Sequence, residues 1–410
     1  MPSCDCSLHT RARADMLRPI AALELPIDDD EGVSALARRA RGGREATCAS
    51  DRGTIAHFDL RSARVAFAAR ASTSRETNAV CWRDEHVVLY AADDVVVEAD
   101  ARKASTNGEE EAWVSRRFRG AGDVVNGVDV DDANGLLAAC DDHGEVRVYE
   151  LASGALSRVM RGHEGCVTSV AFRSKRGASE CVSSSTDCRA MKWDVKTKPV
   201  PVREWDARTV KSVEEYDRER ARAASSGETE TVMDDGARRS FNPPMLHSVA
   251  VYRGAQSDAN APGARRVAAS ACGDGSVLVF DVDQKPLGTK GSTSSASSKK
   301  KNASRISAGV FREGKAECVR LGADGVSGHT NAATCADFIP WIDRADIVLS
   351  GGADRRLIAW NWVAAAEDAA AAVVASSRRR RKVNDLAFAV DARVACVADT
   401  GNTLSLYAFA

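Results

Sequence analysis

Residues 161–196 read RGHEGCVTSVAFRSKRGASECVSSSTDCRAMKWDVK. The stretch opens on Gly162-His163 and, thirty residues past the histidine, reaches Trp193-Asp194. Two β-type runs lie between them, 166–172 and 180–184, followed by the turn Thr186-Asp187 and a third run, 190–195. A turn Asp six residues before a Trp, with a loop His upstream, supplies partners for groups that cannot be buried alone. An indole N–H and a carboxylate taken out of water each need a hydrogen bond. The expected set is His163, Ser183 or Ser185, Asp187 and Trp193. A Ser, a His and an Asp also spell a nucleophilic triad, but this spacing recurs further along the chain, so the set reads as structural.

A small sheet of this kind cannot cover both of its faces, so it implies further copies stacked round an axis. The Gly-His and Trp-Asp ends mark it as a WD-type β-propeller repeat. A second near-complete copy runs from Gly328-His329 to Trp360-Asn361, with thirty-one residues from His to Trp and again six from Asp354 to Trp360. Its tetrad is expected to be His329, Ser350, Asp354 and Trp360. Such repeats take about 40–45 residues, so seven use roughly 300 of the 410 and leave about 100 for insertions. The fold expected is an all-β, seven-bladed WD40 propeller.

The other blades are eroded copies. Blade one is expected over about 17–61, with a first strand at 20–25, an acidic and basic loop at 28–44, and Phe58 where Trp would stand. Blade two covers about 63–105 with no Trp in the expected place, and blade three about 113–160 with Tyr149-Glu150 in place of Trp-Asp. In blade five Asp274 precedes Phe280 by six residues. Blade seven retains only three strands, 383–388, 394–398 and 403–407, before Ala410. A sheet ending there has an open edge, and the N-terminal segment 1–16 is expected to supply the closing strand. The propeller then occupies 17–410, interrupted at about 214–240, 285–307 and 363–378. The first interruption is charged, the second Ser/Lys-rich and the third Ala-rich; the first two read as solvated insertions and the third as a short helix or loop.

Charge and composition narrow the function. Net charge is −1 and no 18-residue apolar run exists, so neither bulk polyanion binding nor a membrane span is expected. The twelve cysteines are mostly single and set in apolar runs, as buried reduced thiols are. Cys4 and Cys6 form one C-x-C with no second ligand pair at zinc spacing. No P-loop or dinucleotide fingerprint appears, so no cofactor, metal or catalysis is expected. The basic runs Arg378–Lys382 and Lys299–Lys301 read first as solvated loops and next as a nuclear-localisation signal. They lack the interleaved aromatics of a nucleic-acid site. The compartment expected is cytoplasm, nucleus or both, and the chain is expected to act as a monomer within a complex.

The chain also resembles one propeller family, the WD repeat-containing protein 53 family. The residues that carry the resemblance are His163 with Val170-Ala171-Phe172-Arg173, and Asn242-Pro243 with His247-Ser248-Val249 after the acidic insertion. Lys382-Val383-Asn384, Val397-Ala398-Asp399 and Leu406-Tyr407 complete it. The resemblance implies a protein-interaction scaffold serving as a substrate receptor, docked on the DNA-damage-binding adaptor of cullin-RING ubiquitin ligases. A ubiquitin-independent scaffold or histone-peptide binder is the alternative. Docking of this kind is associated with a Trp-Asp-x-Arg box at the end of a third strand. The candidates are Asp59 with Arg61, Asp100 with Arg102, and Lys196 after Trp193-Asp194. The one literal copy, Trp205-Asp206-Ala207-Arg208, falls past the third strand and reads as a fourth-strand feature.

Overall fold

The computed structural model describes residues 17–25, 31–37, 43–70, 77–104, 112–175, 178–197, 199–210, 212, 242–253, 267–283, 318–323, 327–342, 345–365 and 371–409. These form seven four-stranded antiparallel sheets. Blade one is Val33–Leu36, Glu45–Ser50, Thr54–Asp59 and Arg64–Arg70. Blade two is Val80–Trp82, Val87–Ala92, Val95–Asp100 and Val114–Phe118, and blade three Val125–Asp131, Leu136–Asp141, Glu145–Glu150 and Leu156–Arg161. Blade four is Val167–Lys175, Ala178–Ser185, Arg189–Asp194 and Arg203–Asp206. Blade five is Leu246–Val251, Val267–Cys272, Val277–Asp281 and Cys318–Leu321. Blade six is Ala333–Phe338, Ile347–Gly352, Arg356–Asn361 and Val373–Arg378. The first strand of each sheet packs against its counterparts on either side, round to Val33–Leu36 against Val383–Ala389, so the sheets form a closed ring. The protein is a seven-bladed β-propeller.

Blade seven closes the ring with strands from both ends of the described chain. Val383–Ala389, Val394–Asp399 and Thr403–Phe409 are completed by Leu17–Glu24, which pairs antiparallel with the last strand from Leu17 opposite Phe409 to Glu24 opposite Thr403. This corrects the expected boundaries. The strand placed at 20–25 in blade one is the outer strand of blade seven, and blade one begins at Val33, inside the stretch read as a loop. Residues 1–16, given the closing role from the sequence, lie outside the described residues, as do all of 214–240 and 285–307. The third expected interruption is largely regular structure: Trp362–Ala365 make one helical turn and Val373–Arg378 are the outer strand of blade six. Val114–Phe118, placed in blade three, completes blade two.

The core is distributed between blades. Among the described residues each of the seven interfaces holds its own apolar cluster, with Trp193 between blades three and four and Trp360 between five and six. Both indoles are fully buried. The cost of truncating either to Ala is about 3–5 kcal/mol by the usual large-to-small scale.

Polar bonds join the blades at the narrow end of each wedge. In six blades the second residue of the innermost strand sits at a register shift, and a bulge there re-aims one side chain. Five such side chains donate to a backbone carbonyl of the next blade. Ser34 Oγ reaches Thr77 O at 2.6 Å, Asn126 Nδ2 Val167 O at 3.1 Å, and Thr168 Oγ1 Leu246 O at 2.7 Å. Thr334 Oγ1 reaches Val383 O at 2.7 Å, and Asn384 Nδ2 returns to Val33 O at 2.8 Å.

Removing residues 1–24 takes away the closing strand together with Leu17 and Leu23, both buried. The expected outcome is a sharp fall in melting temperature, read by circular dichroism. An unchanged melt would show that the seam between the two chain ends carries little stability.

Candidate docking rim and the polar tetrads

The two tetrads can be read atom by atom. In blade four Trp193 Nε1 donates to Ser183 Oγ at 2.8 Å, Ser183 Oγ meets His163 Nε2 at 2.8 Å, and His163 Nδ1 meets Asp187 Oδ2 at 2.9 Å. Blade six repeats the chain through Trp360, Ser350, His329 and Asp354 at 2.7, 2.8 and 2.9 Å. An indole can only donate, so the serine oxygen must accept from it. Where the serine gives its own proton to Nε2, the proton of a neutral ring sits on Nδ1 and faces the carboxylate. Asp187 also accepts the backbone N–H of Glu164 at 3.1 Å and of Arg189 at 2.8 Å. Of the two serines considered, Ser183 joins the chain, while Ser185 Oγ accepts the N–H of Asp187 at 3.1 Å. Ser183 and Ser350 are 0% exposed, so neither hydroxyl can meet a substrate, although each sits beside a His–Asp pair.

The other blades meet the same demand with different residues. Asp141 of blade three pairs with Arg147, and Asp274 of blade five with Arg320. Asp399 of blade seven takes Arg379 Nη2 at 2.6 Å. Between blades one and two Trp82 Nε1 donates to Thr47 Oγ1 at 2.8 Å, and Thr47 Oγ1 meets His57 Nδ1 at 2.7 Å. His57 Nε2 lies 3.4 Å from Glu45. This is the same Trp–hydroxyl–His–carboxylate order, with the indole supplied by the neighbouring blade. Phe58 in the usual Trp position conceals it in the sequence. Arg379, read as part of a solvated basic run, is taken into the fold by Asp399, Ser405 and the ring of Tyr407.

The docking candidates share one turn geometry. Asp59, Asp100 and Asp194 end the third strands of blades one, two and four, and therefore stand on one rim. Each carboxylate accepts the N–H two residues on, from Arg61 at 2.9 Å, Arg102 at 3.1 Å and Lys196 at 2.9 Å. The turn thereby fixes where the basic side chain leaves the backbone. Arg102 also closes on Asp100 through Nε at 2.9 Å and Nη2 at 2.7 Å. That pairing holds the Asp100 carboxyl down to about 2. Arg61 touches Asp59 only at 3.5 Å, so its fork is the more open one. The two arginine side chains are 66% and 61% exposed. Lys196 Nζ lies 3.5 Å from Asn134 Oδ1. Asp206 ends an outer strand, opposite Arg189 at the start of the third. Arg208, bound to Asp206, is thus on the other rim.

Ring geometry and the tetrads together define the class: the chain is a seven-bladed β-propeller that carries WD-type tetrads in blades four and six. The WD domain, G-beta repeat family matches residues 154–194. That window begins before the outer strand of blade three and ends with the third strand of blade four, so the repeat of the sequence straddles two blades of the structure. The particular likeness is to a WD repeat-containing protein 53 homolog of Dictyostelium discoideum, 24% identical over 118 residues, 28% of this chain. The matched part spans 31% of the length of that relative.

Replacing Ser183 by Ala strands a buried indole N–H and a buried imidazole nitrogen. The expected loss is about 1–3 kcal/mol by denaturant titration. Because one hydroxyl serves both groups, Ser183→Ala and His163→Ala should lose less together than the sum of the two. Asp187 and Asp354 behave as a pair under acid. Burial pushes each carboxyl up, but the histidine and backbone N–H bonds outweigh it and hold both below the ordinary value. A depressed carboxylate stabilises fully above its unfolded pKa, about 3.9, and loses that contribution as pH falls through the folded value. Asp187→Asn should therefore melt below the native chain at pH 7, with the gap narrowing below about pH 4.

Proposed function

We propose that this propeller is a non-catalytic protein-interaction scaffold that presents substrates to a cullin-RING ubiquitin ligase, docking on the DNA-damage-binding adaptor through Arg61 and Arg102. The observation that supports this reading most is the pair of Asp-x-Arg turns on one rim of adjacent blades, each with its guanidinium directed from a carboxylate-fixed turn. A planar fork of donors suits carboxylates and carbonyls of a partner, and two forks on neighbouring blades form a two-point contact. Lys196 offers a third positive charge on the same rim but lacks bidentate geometry. The choice of partner follows what the resemblance to the WD repeat-containing protein 53 family implies. The rigid ring supports the mechanism, since recognition loops work best on a stable frame.

Arg61→Ala combined with Arg102→Ala should reduce co-purification of the adaptor at least tenfold while leaving the melt unchanged. Arg61→Ala alone should cost more than Arg102→Ala alone, because Asp100 already occupies part of the Arg102 fork. Full retention of the adaptor by the double variant would remove these residues from the interface. A pull-down containing histones but neither adaptor nor cullin would favour the ubiquitin-independent scaffold.

A further inference from the structure

The mouth of the central channel carries two polar side chains that the ring does not consume. Five of the seven channel-facing positions pass a hydrogen bond to the next blade. The remaining two are Asn78 in blade two and His247 in blade five. Among the described residues neither makes a side-chain hydrogen bond to the protein. Blade five reaches blade six another way, with Ala336 N donating to Ser248 Oγ at 3.1 Å. Asn78 and His247 line a cavity of about 190 Å³ at the mouth, and their blades stand across the axis from each other. Nothing larger than a hydrogen occupies the side-chain position of Gly273, where a Cβ would lie 3.2 Å from His247 Nε2.

We infer that this mouth is a protein-binding site that takes one uncharged side chain bearing both a donor and an acceptor, a carboxamide or a hydroxyl, between Asn78 and His247. Size points to a single side chain. The cavity holds roughly six waters at about 30 Å³ each, and lies below the roughly 300–1,000 Å³ of small-molecule pockets. Charge points to a neutral group. The carboxylate in the lining, Asp385, already accepts the N–H of Leu36 at 2.9 Å and of Leu386 at 2.8 Å. Burial, and after it the charge of Lys382, push the His247 imidazole toward its neutral form. A neutral imidazole and an amide each offer one face that gives a proton and one that takes it, which a carboxamide or hydroxyl matches on both sides. The site opens where the innermost strands begin, on the rim opposite Arg61 and Arg102, so one partner can be held there while the other rim is engaged.

The inference rests on the scaffold reading and is independent of the adaptor. A random peptide library selected on the immobilised full-length chain should yield sequences sharing Asn, Gln, Ser or Thr at one position. Synthetic copies with that residue changed to Ala should bind at least tenfold more weakly, as should the native peptides on His247→Leu or Asn78→Ala proteins. His247→Gln, which keeps a donor and an acceptor, should retain binding, and Arg61→Ala with Arg102→Ala should leave it unchanged. Melting curves establish that each variant is folded. Peptides anchored by a charged residue, peptides that bind the His247→Leu protein as tightly as the native one, or a selection that yields no binder would each overturn the site. Loss of adaptor capture in the rim variant, scored separately, bears only on the ligase reading.

Discussion

A carboxylate at the turn between the second and third strands is the recurring constraint of this ring. The turn lies against the next loop and out of water, so its charge must be met by donors built into the fold. Blades four and six use a histidine, which passes the demand on to a serine and an indole. Blades three, five and seven use an arginine, which ends the chain of bonds at once. Backbone amides complete the set in both cases. The demand is constant and its solution varies, which is why repeats that have lost their tryptophan still build the same blade.

That variation decides what could be read from the sequence. His163, Asp187 and Trp193 lie at fixed separations because all belong to one local path, and His329, Asp354 and Trp360 repeat them. The arginine partners come from three places: Arg147 from a third strand, Arg320 from an outer strand beyond a long interruption, and Arg379 from a loop. No spacing rule links them to their aspartates. Trp82 and His57 were visible as residues, but their shared bond to Thr47 crosses blades. The strand at Leu17–Glu24 was visible as an apolar run, yet nothing local says which sheet it joins. Val373–Arg378 follows an alanine-rich segment whose intrinsic preference is helical, and Trp362–Ala365 at its start make a helical turn. At Val373–Arg378 the open edge of blade six takes a strand from a stretch whose composition favours helix. The positions of Arg61 and Arg102 at strand ends were legible, whereas the closure of Arg102 on Asp100 was not.

The polar residues that begin the innermost strands show one position put to two uses. Where the side chain is short, as in Thr168 or Ser34, it ties its blade to the next. Where it is His247, the tie is made by the following serine and the imidazole is left facing the channel. Rigidity and recognition thus share one structural position. The docking turns on the far rim follow the same economy, since the carboxylate that fixes the backbone also aims the basic side chain.

The pairing of Leu17 with Phe409 brings the two ends of the described chain to one point on the perimeter. Any polypeptide fused ahead of the first strand or behind the last would emerge beside the same blade, far from the channel axis. The topology is therefore that of a bracelet whose clasp is a single strand pair. A short covalent linker across that clasp would leave a continuous loop, in which a break between any two other blades would give the same ring from a differently ordered chain.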